Sequence, residues 1–340
     1  MRVLVTGGNG HVGTNLVAEL LAAGHSVRAS VRALGDEART AHLRALGPVE
    51  LVQADLFDEA SLKAAITDQE AVLHAAAVYE LLSPGRAEAI VRASVQGIDA
   101  AFRAAASVGV KRIILTSSTV TLPLRETGEP PADESHWTSD LRVPYVRAKT
   151  EGERRAWALA AELDLDLATV LPGACGGPGF QRNTPTIDFI EAVMKGALQL
   201  GAPPINYPYV DVRDVARAHR MVLEQKARGR YIVVNDRQPT VTEIAQTMHA
   251  IDPSIPSPLF TLPAFVMPLL PFLERVGSLV SGAPRSVSPE LAAMLRGRVW
   301  NISNAGIRRD LGWSPSFSIK ESIADTLAAI RARADRSNPR

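Results

Sequence analysis

Two side chains four residues apart carry the most chemistry in this sequence. Tyr145 and Lys149 lie in the segment Pro144-Tyr-Val-Arg-Ala-Lys149. Because proline favours the first turn of a helix and residues i and i+4 share one face, both side chains are expected to point the same way. An ammonium beside a phenol lowers the phenol pKa from about 10, which makes tyrosine a usable acid or base at neutral pH. The alternative is an aromatic anchor at a helix start beside a solvated charge.

A pair of serines could supply a third polar group. Ser117 and Ser118 end the run that begins at Ile113, and ligands meet open α/β sheets at the carboxyl ends of their strands. A hydroxyl there can donate a hydrogen bond to a carbonyl oxygen and polarise it. Either serine could play this part, and the alternative is a capping or turn serine.

Glycines near the N-terminus predict a dinucleotide site. Gly7, Gly10 and Gly13 fall every third residue between the apolar run Val3–Thr6 and a helical pattern over Leu16–Leu21. A tight strand-to-helix turn of this kind lets the backbone approach a pyrophosphate, which the helix N-terminus attracts. The alternative is a structural glycine turn in another α/β protein. The predicted cofactor contacts of this loop are Gly7, Asn9, Gly10, His11, Val12 and Gly13.

The end of the second predicted strand indicates which dinucleotide is used. NAD sites place an acid there to hold the ribose 2′-hydroxyl, but the segment Arg28-Ala-Ser-Val-Arg32 has none. The Arg32 guanidinium could clamp a 2′-phosphate. We therefore predict NADP(H) rather than NAD(H); the alternative is that Arg32 is an exposed loop charge.

Further cofactor contacts are expected after the other strands. Asp55 could meet the adenine edge, although it could instead cap the helix from Glu59 onward. His74 is interpreted as a hydrogen-bonded core histidine, followed by small residues that allow close approach. The remaining predicted cofactor contacts are Asp55, Leu56, Ala75, Ala76, Ala77, Ser117, Tyr145, Lys149, Pro172 and Gly173.

The elements that must position these residues alternate along the first half of the chain. Apolar β-branched runs predict strands, and Ala/Leu-rich segments between them predict helices, a pattern typical of a doubly wound parallel (Rossmann) sheet. The predicted strands are Arg2–Thr6, Ser26–Val31, Val49–Gln53, Ala71–His74, Arg112–Thr116 and Leu167–Leu171. The predicted helices lie near His11–Ala23, Asp36–Leu46, Glu59–Ile66, Ala87–Val108 and Pro144–Leu163.

The pattern loosens after Pro172, where glycine and proline cluster. We predict an NADP-binding Rossmann domain over residues 1–175 and a smaller C-terminal, substrate-covering lobe over 176–340, with 211–235 packing back on the first domain. This later part is expected to hold helices near Val212–Gln225 and Thr242–Ala250 and a strand near Tyr231–Val234. The polar last dozen residues are expected to fray.

Composition excludes several classes of protein. A net charge of +1 argues against nucleic acid as a partner. One cysteine and no metal-ligand spacing of histidines predict neither a disulfide nor a metal site.

No targeting segment is recognised, so a cytoplasmic location is expected. The uncharged residues 253–273 are interrupted by prolines, which argues against a membrane span and leaves a lid or a surface-contact element.

Together these motifs resemble the extended short-chain dehydrogenase/reductase family. The spaced glycines, Thr-Ser-Ser118 and Tyr145-x-x-x-Lys149 occur in the family's order. The likeness continues through Leu171-Pro-Gly173, Tyr209–His219 and Asn304 to Pro315. The strand Val27–Arg32 looks most like the dihydroflavonol-reductase and ketoreductase branch. This resemblance implies NADPH-dependent reduction of a ketone or aldehyde, with Ser118, Tyr145 and Lys149 as the catalytic triad.

Two departures from the family pattern affect what can be carried over. Ser94 stands where many extended members have an asparagine before Val95-Gln-Gly97, so a proton-relay water would be held differently. Plant dihydroflavonol reductases have an asparagine shortly after the catalytic serine, whereas this chain reads Thr119-Val-Thr-Leu-Pro123. A flavonoid substrate is therefore not predicted.

The expected substrate is a small hydrophobic or aryl carbonyl or alcohol compound, because apolar and aromatic residues dominate the predicted pocket. Core packing is the alternative for each of them. Rival functions are a 3β-hydroxysteroid dehydrogenase, a nucleotide-sugar epimerase or dehydratase, and a non-catalytic NADP-sensing protein. Related enzymes also imply a homodimer through the long alanine-rich helices. The predicted substrate contacts are Tyr79, Leu122, Trp137, Cys175, Phe180 and Tyr207.

Overall fold

The computed structural model describes residues 1–76, 87–263, 266 and 289–337. Apolar, β-branched runs form most of its strands, because side chains covered on both faces of a sheet must be apolar. In chain order the strands are β1 (Arg2–Thr6), β2 (Ser26–Val31), β3 (Val49–Gln53), β4 (Ala71–His74), β5 (Arg112–Thr116), β6 (Arg125–Glu126), β7 (Asp166–Pro172), β8 (Ala174–Gly176), β9 (Tyr209–Asp211), β10 (Gly229–Val233) and β11 (Arg298–Val299).

Helices alternate with these strands in the first half of the chain and dominate the second. In chain order they are α1 (His11–Ala22), α2 (Glu37–Arg44), α3 (Glu59–Ile66), α4 (Ala87–Ser107), α5 (Pro144–Glu162), α6 (Pro185–Met194), α7 (Val212–Glu224), α8 (Val241–Ile251), α9 (Pro289–Met294), α10 (Ala305–Leu311) and α11 (Ile319–Ser337). A short 3₁₀ turn over Thr119–Thr121 follows β5.

Among the described residues, seven strands form one parallel sheet in the order β10-β7-β5-β4-β1-β2-β3. Val5 in β1 pairs with Ala29 in β2 on one side and with Leu73 in β4 on the other. From β1 the chain first builds β2 and β3 on one side of that strand, and then crosses over to build β4 on its other side. This reversal of strand order opens a crevice beyond the carboxyl ends of β1 and β4. The doubly wound parallel sheet predicted from the sequence is confirmed.

Two apolar layers cover this sheet. On one face α1 and α7 pack together over a core that includes Leu16, Val17 and Val222. On the other face α3, α4 and α5 cover a core that includes Ile66 and Phe102. The helices therefore bury both faces, as parallel strands require.

Residues beyond β7 contribute both to the sheet layer and to a second apolar cluster. Strand β10 extends the sheet as the neighbour of β7, and α7 packs on α1. Helix α6, which precedes these two elements in the chain, and the later helices α8 and α11 enclose their own cluster, which includes Ile187, Met248 and Leu327. Strands β8 and β9 pair in parallel where the chain passes between these two parts.

The sequence-based elements agree closely with the structure, and the discrepancies have physical causes. Helix α2 begins at Glu37 because Asp36 is its extended N-cap. The short strands β6, β8, β9 and β11 were not predicted, since two or three paired residues leave no periodic pattern. The helices α6, α9, α10 and α11 were not predicted either. The prediction of a frayed C-terminus is wrong as far as Ser337. Helix α11 continues to that residue, and buries Ile323, Leu327 and Ile330.

A membrane helix is not found in the described part of the chain: no helix there combines the length and the apolar character needed to cross a bilayer.

Candidate active site

The predicted cofactor residues collect at one edge of the sheet. Strands β1, β4, β5 and β7 are adjacent and parallel, so their carboxyl ends meet at the same edge. The glycine loop after Thr6, the alanines after His74, the serines after Thr116 and the turn at Gly173 therefore lie together there. This convergence brings residues that are far apart in the sequence into one crevice.

Close backbone packing explains the glycine spacing. A Cβ on Gly7 would lie 2.8 Å from the Cα of Ala76, and Gly7 also has a φ of +66°, a conformation that favours glycine. A Cβ on Gly13 would lie 2.1 Å from the carbonyl oxygen of Gly7. The loop and the start of α1 are thus too tightly folded for side chains at these two positions.

The beginning of α1 fits the pyrophosphate of a dinucleotide. Its N-cap residue is Gly10, which has no side chain to accept hydrogen bonds from the first-turn amides, and no acidic residue lies in that turn. Uncapped amides and the helix dipole attract an anion. The bare, closely folded glycine loop leaves room for one, so the residues present fit the predicted cofactor.

Gly13→Ala is expected to weaken NADPH binding at least tenfold, because the new methyl group must push the Gly7 carbonyl out of the loop. Fluorescence titration with NADPH measures this affinity, and the melting temperature reports the effect on folding. Gly35→Ala is the matched control, since its Cβ would meet nothing within 4 Å. Equal affinities in the two variants would contradict the predicted role of the loop.

His11 joins the glycine loop to the segment after β8. Its Nε2 donates to the carbonyl oxygens of Gly177 and Pro178 at 3.2 and 3.1 Å. Its ring also meets Phe180 edge-on at 5.4 Å. Asn15 donates to the Pro178 carbonyl oxygen as well. Burial lowers the pKa of His11 to about 4, so the ring is neutral, which suits a donor held between two carbonyl groups. Nothing in the sequence signals this contact across some 165 positions.

Arg32 and Asp55 lie at the ends of β2 and β3. Arg32 is exposed, and within the described ranges no carboxylate pairs with it, so its guanidinium is available to a phosphate. Asp55 accepts a hydrogen bond from the Phe57 amide. The alternative in which Asp55 caps α3 is wrong: Asp58 is the N-cap and accepts from the amides of Ala60 and Ser61.

The end of β4 is held by a short hydrogen-bond chain. The Thr6 hydroxyl lies 3.1 Å from Nδ1 of His74 and accepts from the Ala76 amide at 3.2 Å. Burial, together with the nearby Lys149 charge, lowers the pKa of His74 to about 4. The interpretation of His74 as a hydrogen-bonded core histidine is confirmed. Ala75 and Ala76 are partly buried beside the glycine loop.

Lys149 lies on the inner face of α5, against the end of β5. Its Nζ donates to the Thr116 carbonyl oxygen at 3.4 Å. Desolvation lowers its pKa to about 8, and the Glu153 carboxylate opposes that shift. A lysine with this pKa is still a cation at neutral pH, so it can stabilise a nearby phenolate.

Tyr145 lies one helical turn before Lys149, on the same face of α5. Its ring is buried with Val143, Val146 and Met294, and Pro144 occupies the first helical turn as expected. A small cavity behind Lys149 is lined by residues from β4, β5, α4 and α5, Leu56 and Ser94 among them, and has room for about one water molecule. Helix α5 therefore carries both predicted residues one turn apart, with Lys149 at this cavity and Tyr145 in the adjacent apolar cluster.

The two serines after β5 have different surroundings. The Ser118 side chain accepts from the Val120 amide at 3.3 Å, which leaves the hydroxyl proton free to be donated. The Ser117 hydroxyl donates to Oε2 of Glu153 at 2.6 Å, and its amide donates to Val170. This geometry argues against the predicted cofactor contact through the Ser117 side chain, and it favours Ser118 as the donor to a carbonyl oxygen.

Some predicted substrate contacts belong to apolar clusters. Leu122 is 2% exposed and packs with Leu171, Ile232 and Val234. Phe180 is 4% exposed and packs in the cluster of α6, α8 and α11. For both residues this burial favours core packing over contact with a substrate, and the sequence alone left that choice open.

The other predicted substrate contacts are more accessible. The Trp137 ring is partly buried beneath the Arg230 guanidinium at 3.8 Å. Tyr207 stacks on Phe189 with ring centroids 4.9 Å apart. Cys175 is partly buried, and desolvation raises its pKa to about 12, so it remains a thiol. Tyr79 and the predicted cofactor contact Ala77 lie outside the described residues.

Sequence reasoning missed two residues that the structure places behind this site. Glu153 is fully buried on α5, four residues after Lys149, and it forms an ion pair with Arg230 of β10. The i, i+4 spacing from Lys149 could have drawn attention to Glu153. No local signal marks Arg230, which reaches the site only because β10 joins the sheet beside β7.

Comparisons with known proteins agree with this geometry. A sequence model of the NAD dependent epimerase/dehydratase family matches residues 3–235. The chain is 34% identical over 271 residues to tetraketide alpha-pyrone reductase 1 of Arabidopsis thaliana, across 76% of this chain and 83% of that protein. It is 32% identical over 260 residues to dihydroflavonol 4-reductase of Callistephus chinensis, across 72% and 71%. The crystal structure of gox2253 superposes with a TM-score of 0.82 at 27% identity and covers 97% of this chain and 98% of that one.

Proposed function

The chain belongs to the NAD dependent epimerase/dehydratase family, in its branch of reductases, and we propose that it uses NADPH to reduce the carbonyl group of a hydrophobic or aryl ketone or aldehyde. The observation that carries this proposal is the position of Lys149. Its ammonium lies against the end of β5, directly before the serine turn, and one helical turn after Tyr145. We infer from this position that phenol, ammonium and hydroxyl act together at the edge of the sheet where the cofactor is expected.

NADPH, when bound, supplies a hydride to the carbonyl carbon of the substrate. Tyr145 donates its phenolic proton to the carbonyl oxygen as negative charge develops there. The Lys149 ammonium stabilises the phenolate that remains. Ser118 donates a hydrogen bond to the same oxygen, because its own oxygen already accepts from the Val120 amide.

The substrate proposal rests on the chemistry of the accessible side chains. Trp137 and Tyr207 are aromatic and only partly buried, and the neutral Cys175 thiol adds a small apolar surface. A pocket lined by these predicted substrate contacts would suit an apolar or aromatic carbonyl compound. It offers little to a charged sugar diphosphate, the substrate of the rival epimerase or dehydratase function.

A direct test is the rate of NADPH oxidation with aryl ketones, aliphatic aldehydes and steroid ketones, with the alcohol product identified by mass spectrometry. The proposal expects turnover with at least one apolar member. Turnover restricted to steroid ketones would identify the steroid dehydrogenase alternative. NADPH binding with no consumption on any substrate would contradict the proposal and support a non-catalytic sensor.

Arg32→Gln is expected to lower NADPH affinity at least tenfold and to leave NADH affinity within about twofold. Only NADPH carries the 2′-phosphate, and a guanidinium–phosphate contact contributes about 1.5–3 kcal/mol. Titration of both nucleotides measures this, with Arg39→Gln as the control because Arg39 is an exposed arginine paired with Asp36. If NADPH affinity is the same in both variants, Arg32 is a surface charge.

A further inference from the structure

A buried carboxylate behind the proposed active site is surrounded by donors. Glu153 is 0% exposed at its side chain. Its Oε1 accepts from the Thr169 hydroxyl at 2.8 Å and from Nε of Arg230 at 2.9 Å. Its Oε2 accepts from the Ser117 hydroxyl at 2.6 Å. A buried carboxylate with this many partners holds each of them in a fixed geometry.

Arg230, the partner of this carboxylate, contacts the chain on the far side of the serine turn. One guanidinium nitrogen donates to the Thr121 hydroxyl oxygen at 2.9 Å. The other terminal nitrogen donates to the carbonyl oxygens of Glu134 and His136, each at 2.7 Å. The Trp137 ring lies against the guanidinium face. All five guanidinium protons have a place in this planar arrangement.

The two side chains therefore hold the residues on either side of Ser118. Ser117 is bound by Glu153. Thr121 is bound by Arg230, and the Thr121 hydroxyl donates in turn to the Ser118 carbonyl oxygen at 2.9 Å. Because Glu153 also lies on α5, four residues after Lys149, the serine turn is fixed relative to the helix that carries Tyr145.

We propose that the Glu153–Arg230 ion pair is a positioning pair. Through its hydrogen bonds to Ser117 and Thr121, it holds the Ser118 hydroxyl where this hydroxyl and the phenol of Tyr145 can reach the same carbonyl oxygen. This inference rests on the proposed function, because the relative position of the two groups matters only if both meet one carbonyl oxygen. Both side chains are buried, with 7% of Arg230 and 0% of Glu153 exposed, so we assign neither of them a contact with the substrate. Their contribution is to keep the donor within hydrogen-bond reach, where a displacement of about 1 Å can cost a hundredfold in rate.

The test removes, one at a time, the hydrogen bonds that tether the serine turn to the ion pair, and it leaves both buried charges in place. Thr121→Val keeps the shape of the side chain but loses its hydroxyl, Thr121→Ser keeps the hydroxyl, and Ser117→Ala removes the tether to Glu153. Thr150→Val is the matched control. Thr150 is also fully buried, and its hydroxyl has no hydrogen-bond partner among the described residues. For each variant, kcat, the KM for the carbonyl substrate, the Kd for NADPH and amide hydrogen exchange of residues 118–121 are measured.

If the pair positions Ser118, Thr121→Val and Ser117→Ala each lower kcat at least tenfold, while the Kd for NADPH stays within about twofold. Hydrogen exchange of residues 118–121 rises in both variants. Thr121→Ser restores kcat to within about threefold of the wild type, and Thr150→Val behaves as the wild type. Glu153→Gln, where it folds, lowers kcat at least as much as Ser117→Ala.

Wild-type kcat and unchanged exchange in both tether variants would overturn the inference, even if their melting temperatures fall. A fall in kcat that Thr121→Ser fails to restore would also overturn it, since shape and not the hydroxyl would then be responsible. Failure of the proposed function is a separate result, because it is seen as absence of carbonyl turnover by the wild type. In that case the exchange data alone decide whether the pair holds the serine turn.

Discussion

Tyr145→Phe is expected to lower kcat for carbonyl reduction by a factor of about 10²–10⁴, the usual contribution of a positioned proton donor. The ring packs with Val143, Val146 and Met294, and phenylalanine preserves those contacts. The apolar packing should therefore survive, whereas loss of the hydroxyl can weaken the predicted contact of Tyr145 with the cofactor. Steady-state rates and an NADPH titration on the same preparation separate the two effects.

Tyr231→Phe is the matched control for this change. Tyr231 is also buried, but it lies on β10 and not on α5. Its hydroxyl donates to the Arg228 carbonyl oxygen. We expect this variant to retain the wild-type kcat. Substantial turnover by Tyr145→Phe would show that the proton comes from another group and would remove the basis of the proposed mechanism.

Acid is expected to destabilise this fold between pH 6.5 and pH 4. Burial lowers the pKa of His11, His74 and His219 from 6.5 to about 4 in each case. In that range the unfolded chain binds protons that the folded chain does not, so stability is complete above pH 6.5 and falls as the pH drops. At about 1.4 kcal/mol for each tenfold change in proton affinity, each histidine can contribute up to about 3 kcal/mol.

Melting temperatures recorded from pH 7.5 to pH 4.5 measure this dependence. His219 is the most informative of the three, because its Nδ1 donates to the Val215 carbonyl oxygen and its Nε2 accepts from the Thr116 hydroxyl. His219→Gln should flatten the pH dependence. His136→Gln should not, since the His136 side chain is 36% exposed to water, unlike these three buried rings. A melting temperature that stays constant over this range would show that the buried histidines do not control acid stability.

The sequence alone was sufficient to predict the doubly wound sheet and the cofactor loop, because both depend on local patterns. Apolar runs such as Val3–Thr6 must be strands covered on both faces. Glycine is required at Gly7 and Gly13 because the backbone there is too close for a Cβ. Tyr145 and Lys149 share a face because of helical periodicity alone. These features depend on residues close together in the chain, so they can be predicted without knowing which distant elements pack together.

The tertiary structure decided which candidates are free to act. The residue types of Ser117 and Ser118 do not distinguish them, and only the family resemblance favoured Ser118. In the structure the buried Glu153 carboxylate binds the Ser117 hydroxyl and so separates their roles. Leu122 and Phe180 were plausible pocket residues until their neighbours buried them. Arg230 reaches the serine turn only because β10 pairs with β7. Such contacts join residues that lie from 36 positions apart, as for Ser117 and Glu153, to 109 positions apart, as for Thr121 and Arg230, so no local pattern in the chain can encode them.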